Sequence, residues 1–247
     1  MNQKKVILTG ASGGIGSALA KAFAGAGCSL ALLGNRSTEK LETLTALCRQ
    51  TACPDTGSIF SLTGDISQIN SAQSLMEEAV TRLGGVDLLI NCAGISYIGL
   101  LSDMPPAEWE RILNTNLSSV FYCCRSIVPH MVRRQTGKIL NISSVWGSHG
   151  ASCEVAYSAT KGAVNTFTKA LARELAPSGI AVNALACGMI DTPMNQCFSP
   201  EEIKDICDEI PAGRMGTPEE VAETALLLAK APVYLTGQIV TIDGGWC

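Results

Sequence analysis

Near the amino terminus the apolar run Val6-Ile7-Leu8 passes without a break into Thr9-Gly10-Ala11-Ser12-Gly13-Gly14-Ile15-Gly16, and helix-forming sequence starts at Ser17. This order of strand, glycine-rich turn and helix narrows the possible folds more than any other feature of the chain. Glycines, lacking Cβ, let backbone N–H groups come close to a phosphate, and the positive end of the following helix faces it. The spacing T-G-x-x-x-G-x-G differs from the usual G-x-G-x-x-G, and a plain tight turn is the competing reading.

Short apolar runs recur at 28–33, 59–62, 86–90, 138–142, 180–185 and 238–242. Helix-compatible stretches separate them: 39–49, 72–82, 105–134, the segment around Tyr157, and 219–230. The stretch 105–134 begins at a proline and is disturbed near Asn114-Thr115-Asn116, where a polar residue in an apolar helix needs a specific partner. Residues 189–213 read as a lid. Hydrophobic residues make up 47% of the chain and charged ones 16%, which suits a sheet buried on both faces. The alternation predicts an α/β fold: a single-domain, Rossmann-type, doubly wound parallel sheet of about seven strands with helices on both faces. No repeat, low-complexity tract or linker divides residues 1–247.

The chemistry concentrates at the ends of these strands. Gly34-Asn35-Arg36-Ser37 follows the second strand without an acidic residue. An acid there would bind ribose hydroxyls, whereas Arg favours a 2′-phosphate, so NADP(H) is preferred and NAD(H) is the alternative. A solvated loop charge would explain Arg36 equally simply. Asp65, after the third strand, suits an adenine amino group or the cap of the next helix. Asn91-Cys92-Ala93-Gly94 offers small residues beside a flat ligand. Ser144 ends the fifth strand, and Tyr157 and Lys161 lie four apart on the following helix, on one face. A phenol with a reference pKa of about 10 is a poor proton donor or acceptor near neutrality. A lysine cation beside it is expected to lower that pKa and to fit the Tyr for acid–base work on a carbonyl or alcohol.

Other classes of function are disfavoured. The net charge is −4 and basic residues do not cluster, which argues against nucleic acid. No apolar run has the length of a membrane span, and the first residues are too short and polar for a signal peptide. The 11 cysteines are scattered through apolar segments without a C-x-x-C pair, as expected of reduced thiols in a cytoplasmic protein. His130 and His149 lack a ligand cluster, so no metal site is expected. Ser143 and Ser144 have no histidine base nearby, which argues against an acyl-enzyme.

Taken together, Thr9 to Gly16, Asn91 to Gly94, Asn116, Ser144, Tyr157-Ser-Ala-Thr-Lys161, the Thr192 turn and Asp243-Gly-Gly245 resemble the short-chain dehydrogenase/reductase family over essentially the whole chain. Residues 114–121, 213–223 and 234–245 are most similar to the 3-oxoacyl-[acyl-carrier-protein] reductases. The resemblance implies Tyr157 as acid/base, Lys161 as its pKa-lowering partner and ribose ligand, Ser144 on the substrate oxygen and Asn116 behind a water relay. It implies dinucleotide contacts from Gly10, Ser12, Gly14, Ile15 and Gly16 at the pyrophosphate. Asn35, Arg36, Asp65 and Ile66 would meet the adenosine end, with Asn91, Ala93 and Gly94 near its ribose, and Ile190 and Thr192 would sit by the carboxamide. The substrate it implies is a carbonyl compound, free or bound to acyl carrier protein, or a sugar, steroid or other secondary alcohol. It also implies a homotetramer. Cys187-Gly188 replaces the family's Pro-Gly, which is expected to loosen that loop. Gly13 stands where NADPH-using relatives carry Arg, and Ser178 where a basic residue helps bind the carrier. Arg133 and Arg134 are candidate carrier contacts or a solvated helix end.

Overall fold

The structure is a computed structural model that describes residue 1, residues 3–53 and residues 56–247. Its strands are β1 (Lys5–Thr9), β2 (Ser29–Gly34), β3 (Ile59–Thr63), β4 (Leu88–Asn91), β5 (Gly137–Ser144), β6 (Ile180–Cys187) and β7 (Ile239–Ile242). They form one parallel sheet in the order β3-β2-β1-β4-β5-β6-β7. Helices α1 (Gly14–Gly25), α2 (Thr38–Thr51), α3 (Ile69–Leu83), α4 (Pro106–Leu113), α5 (Ser119–Arg134), α6 (Trp146–His149), α7 (Val155–Leu175), α8 (Pro200–Glu209) and α9 (Pro218–Lys230) connect them. The doubly wound sheet expected from the sequence is therefore present.

Alternation along each strand builds two cores. Val6, Leu8, Leu88 and Ile90 face α1 and α9, packing on Leu19, Phe23 and Val221. Ile7, Leu89, Ile139 and Val182 face the opposite side, against Met76, Ile127 and Val164. Because successive residues of a strand point to opposite faces, such strands must be apolar throughout. The disturbance foreseen near residue 114 is a π-turn, Asn114–Ser118, between α4 and α5. The extra residue in that turn rotates Asn116 inward, where it is almost completely buried. Helix α6 lies in a segment that reads as loop, because a single turn leaves no periodic signature.

The chain reverses its direction of travel between β1 and β4, and the carboxyl ends of the strands open a crevice there. Behind that crevice a polar chain crosses the sheet. Asn91 Nδ2 donates to Asn141 Oδ1 at 2.9 Å, and Asn141 Nδ2 donates to Thr168 Oγ1 at 2.8 Å. Asn141 has no exposed surface. Stranding a buried donor costs about 1–3 kcal/mol, whereas replacing both partners with apolar groups of similar shape is nearly neutral. Asn141→Leu should therefore lower the melting temperature by roughly 2–12 °C, taking about 2–4 °C per kcal/mol at this chain length. The double variant Asn91→Leu/Asn141→Leu should recover most of that loss in a thermal melt.

Candidate active site

A cleft of about 1300 Å³ runs along the carboxyl ends of the strands, from the end of β2 past the glycine turn to the carboxy-terminal tail. Its floor is backbone. Gly10 adopts φ +68°, and a Cβ there would lie 2.7 Å from Ala93 Cα. A Cβ on Gly16 would collide with the Gly10 carbonyl oxygen, and one on Gly14 would come within 2.7 Å of Thr192 Cγ2. The first turn of α1 carries no acidic side chain and no side-chain cap, so its positive end is left for an outside anion. These features fit a dinucleotide pyrophosphate. Ser12 and Ile15 line the cleft beside the glycines, and Ile190 and Thr192 close over them from the loop after β6.

At the other end, Asn35 and Arg36 border the cleft, joined by Lys40. The sequence reading missed Lys40, although its position four residues after Arg36, on the first turn of α2, is a usable signal. Asp65 and Ile66 also line the cleft, and Asp65 Oδ1 accepts a hydrogen bond from Ser67 N at 2.9 Å. Asp65 therefore closes a local turn and does not cap α3, whose N-cap is Gln68 and which has no side-chain cap. Ala93 and Gly94 line its centre. Asn91 does not: its side chain turns into the sheet toward Asn141 and Cys124. The Asn91 side chain thus lies on the protein side of the strand, and only its backbone is left to meet a ribose.

The reactive end is assembled from β5 and α7. Ser144 is the last residue of β5, in register with Cys187 of β6. Lys161 is 5% exposed; its Nζ donates to the Ile142 carbonyl at 2.9 Å and lies 5.5 Å from the centre of the Tyr157 ring. Burial lowers the lysine pKa. Burial also pushes the Tyr157 phenol well above its ordinary value, with the neighbouring Ser144 hydroxyl opposing part of that rise. The expected lowering by Lys161 is therefore not found in this state. The ammonium lies over the ring and is engaged by a carbonyl, and desolvation outweighs it.

Asn116 stands just behind the cleft. Its Oδ1 accepts from Ile95 N at 2.8 Å and its Nδ2 donates to Ile95 O at 2.9 Å and to Thr160 Oγ1 at 3.2 Å. It thereby clamps the strand β4 exit to α7. The loop carrying Cys187-Gly188 is held on both sides, by Val145 N on Cys187 O at 3.0 Å and by Gly188 N on Ile242 O at 2.9 Å. Sheet bonds supply the restraint that a proline was expected to provide. Arg134 donates to Val86 O at 2.7 Å and to Asp87 Oδ1 at 3.0 Å, just before β4 begins and thus at the sheet end away from the cleft. It is anchored there while 43% of its side chain stays exposed. The sequence reading also missed the apolar lobe beyond Ser144, including Trp146, Met189, Phe198 and Trp246, since side chains from separate loops share no spacing.

A parallel sheet with a glycine-floored dinucleotide cleft that ends at a tyrosine, a lysine and a serine is the framework of an NAD(P)-dependent oxidoreductase. The chain belongs to the short chain dehydrogenase family, whose model matches residues 4–203. It is 39% identical over 246 residues to the Bacillus subtilis protein called uncharacterized oxidoreductase YmfI, covering 98% of each chain. It is 35% identical over 246 residues to the 3-oxoacyl-[acyl-carrier-protein] reductase of Chlamydia pneumoniae, covering 98% of this chain and 96% of that one. The structure of a doubly substituted Serratia marcescens short-chain dehydrogenase/reductase superposes with a TM-score of 0.91 at 27% identity, covering 99% and 98% of the two chains. Among the described residues no helix is long and apolar enough to cross a membrane.

The glycine floor can be tested directly. Gly16→Ala forces backbone apart, an overpacking cost of about 1–3 kcal/mol, and displaces the N–H groups of the turn. Calorimetry should show dinucleotide affinity reduced at least tenfold. Unchanged affinity would mean that the phosphates bind elsewhere.

Proposed function

We propose that the protein reduces a 3-oxoacyl thioester, carried on acyl carrier protein or a like thiol, to the 3-hydroxyacyl form with NADPH. The observation that carries this reading is the meeting of Ser144, Tyr157 and Lys161 at one end of a cleft floored by the glycine turn and bordered at its other end by Arg36 and Lys40. The nicotinamide supplies a hydride to the carbonyl carbon when the dinucleotide is bound. Ser144 and Tyr157 aim hydroxyls at the oxygen, where negative charge develops, and Tyr157 passes its proton to that oxygen. Lys161 holds positive charge behind the phenol, and Asn116 fixes the Ile95 backbone that borders the same space. Arg36 and Lys40 favour a phosphorylated ribose, which supports NADPH over NADH. The likeness to the 3-oxoacyl-[acyl-carrier-protein] reductases supports the substrate class; the shared tetrad also serves relatives acting on other alcohols, the alternative reading. The family resemblance and the exposed Trp109, Phe121, Leu227 and Tyr234 support a homotetramer, and the apparent reduced thiols support a cytoplasmic setting.

A raised phenol pKa keeps Tyr157 protonated through neutral pH, so reduction should be flat there and fall on the alkaline side. The reverse oxidation needs the deprotonated phenol and should rise with pH. Tyr157→Phe should cost about 10²–10⁴ in kcat on an acetoacetyl thioester while dinucleotide affinity stays within about twofold. Assays with NADPH and NADH, and with an alcohol panel, read the cofactor and substrate arms. Normal turnover by the Phe variant would overturn the mechanism.

A further inference from the structure

The substrate end of the cleft is walled by two indoles contributed by distant parts of the chain. Trp146 opens α6 immediately beyond Ser144, and its backbone N–H donates to the Ser144 hydroxyl at 3.2 Å. Trp246 is the penultimate residue. The two rings meet edge to face, with centroids 4.8 Å apart and planes at 63°, and both border the cleft.

Glu154 accepts a hydrogen bond from Ser96 Oγ at 3.0 Å, and its carboxylate lies beside the Trp146 side chain. Trp246 is fixed by the turn before it. Asp243 accepts from Gly245 N at 3.0 Å and from Cys247 N at 2.9 Å. Ala212 N donates to Gly244 O at 3.1 Å, which stitches the tail to the segment after α8. Opposite stand Ile98, Met194 and Phe198, among them a thioether of the kind that makes favourable contacts with rings.

The geometry points to a preference of this enzyme for carbonyl substrates bearing a flat aromatic substituent, received by Trp146 and Trp246. The proposal rests on the carbonyl-reductase reading and names its substrate class. A T-shaped indole pair offers a π-face and a ring edge together, and an aryl group complements both through its quadrupole. A short aliphatic chain carries no quadrupole to match them. Rings already packed against each other also lose little freedom on binding.

The test compares the 3-oxo-3-phenylpropanoyl and acetoacetyl thioesters of N-acetylcysteamine with NADPH. The wild type should favour the aryl substrate at least tenfold in kcat/KM. Trp246→Ala should reduce that ratio five- to twentyfold, mainly through KM, while Trp246→Phe keeps most of it. Dinucleotide affinity by calorimetry checks that each variant is folded. In parallel, binding of acetophenone and 2-butanone to the Tyr157→Phe protein with NADPH is measured by calorimetry. Acetoacetyl turnover without an aryl preference, or a preference that Trp246→Ala leaves unchanged, overturns the proposal and spares the reductase reading. No turnover of either thioester, with Trp246-dependent acetophenone binding, sinks that reading and leaves the aromatic wall standing.

Discussion

The rest of the site depends on how closely two backbone turns approach at the switch point of the sheet. Thr9 ends β1 and is 1% exposed; its hydroxyl accepts from Cys92 N at 3.0 Å and from Ala93 N at 3.3 Å. Those bonds pull the exit of β4 against the exit of β1, and only a glycine at position 10 leaves room for Ala93. Once the turns are joined, the crevice has a floor without side chains. The groups that surround it then take their positions from the sheet register: Ser144 opposite Cys187, and Ile142 one layer back with its carbonyl on Lys161. A few hydrogen bonds at the switch point therefore carry through to the placement of the reactive hydroxyls.

Much of this was legible because it is local. The strand–glycine–helix order announced the phosphate floor, and seven apolar runs announced the sheet. The i, i+4 spacing announced that Tyr157 and Lys161 share a helix face. What escaped was set by tertiary geometry. Asn91 reads as a cleft residue because it adjoins Cys92, Ala93 and Gly94, yet strand alternation sends its side chain into the protein. The π-turn left only a polar blemish at Asn114-Thr115-Asn116, although its inward rotation of Asn116 sets the Ile95 backbone. Trp146 and Trp246 lie a hundred residues apart in sequence, and no periodicity connects them.

The electrostatics show why helical proximity was not enough to settle the tyrosine. Desolvation disfavours charge on both members of the pair, raising the phenol and lowering the ammonium. A cation over the face of a phenol ring interacts with the ring quadrupole and acts less directly on the oxygen. In this arrangement the resting site holds a protonated phenol, which is the form that carbonyl reduction consumes. Deprotonation calls for further positive charge or an acceptor placed near the oxygen itself. Burial thus sets the resting protonation state of the phenol before any substrate arrives.

The same reasoning applies to the loop after β6. A proline would fix one backbone angle but could donate no hydrogen bond. Here Cys187 stays in the sheet as the partner of Ser144, and Gly188 packs so tightly on Asp243 that a Cβ would come within 2.7 Å of the Asp Cβ. Asp243 in turn holds the N–H groups of Gly245 and Cys247. Restraint has moved from a ring within the loop to a contact between that loop and the carboxy-terminal turn. The wall that faces the substrate and the loop that covers the dinucleotide consequently share one anchor, and disturbance of Asp243 would be felt on both sides of the carbonyl.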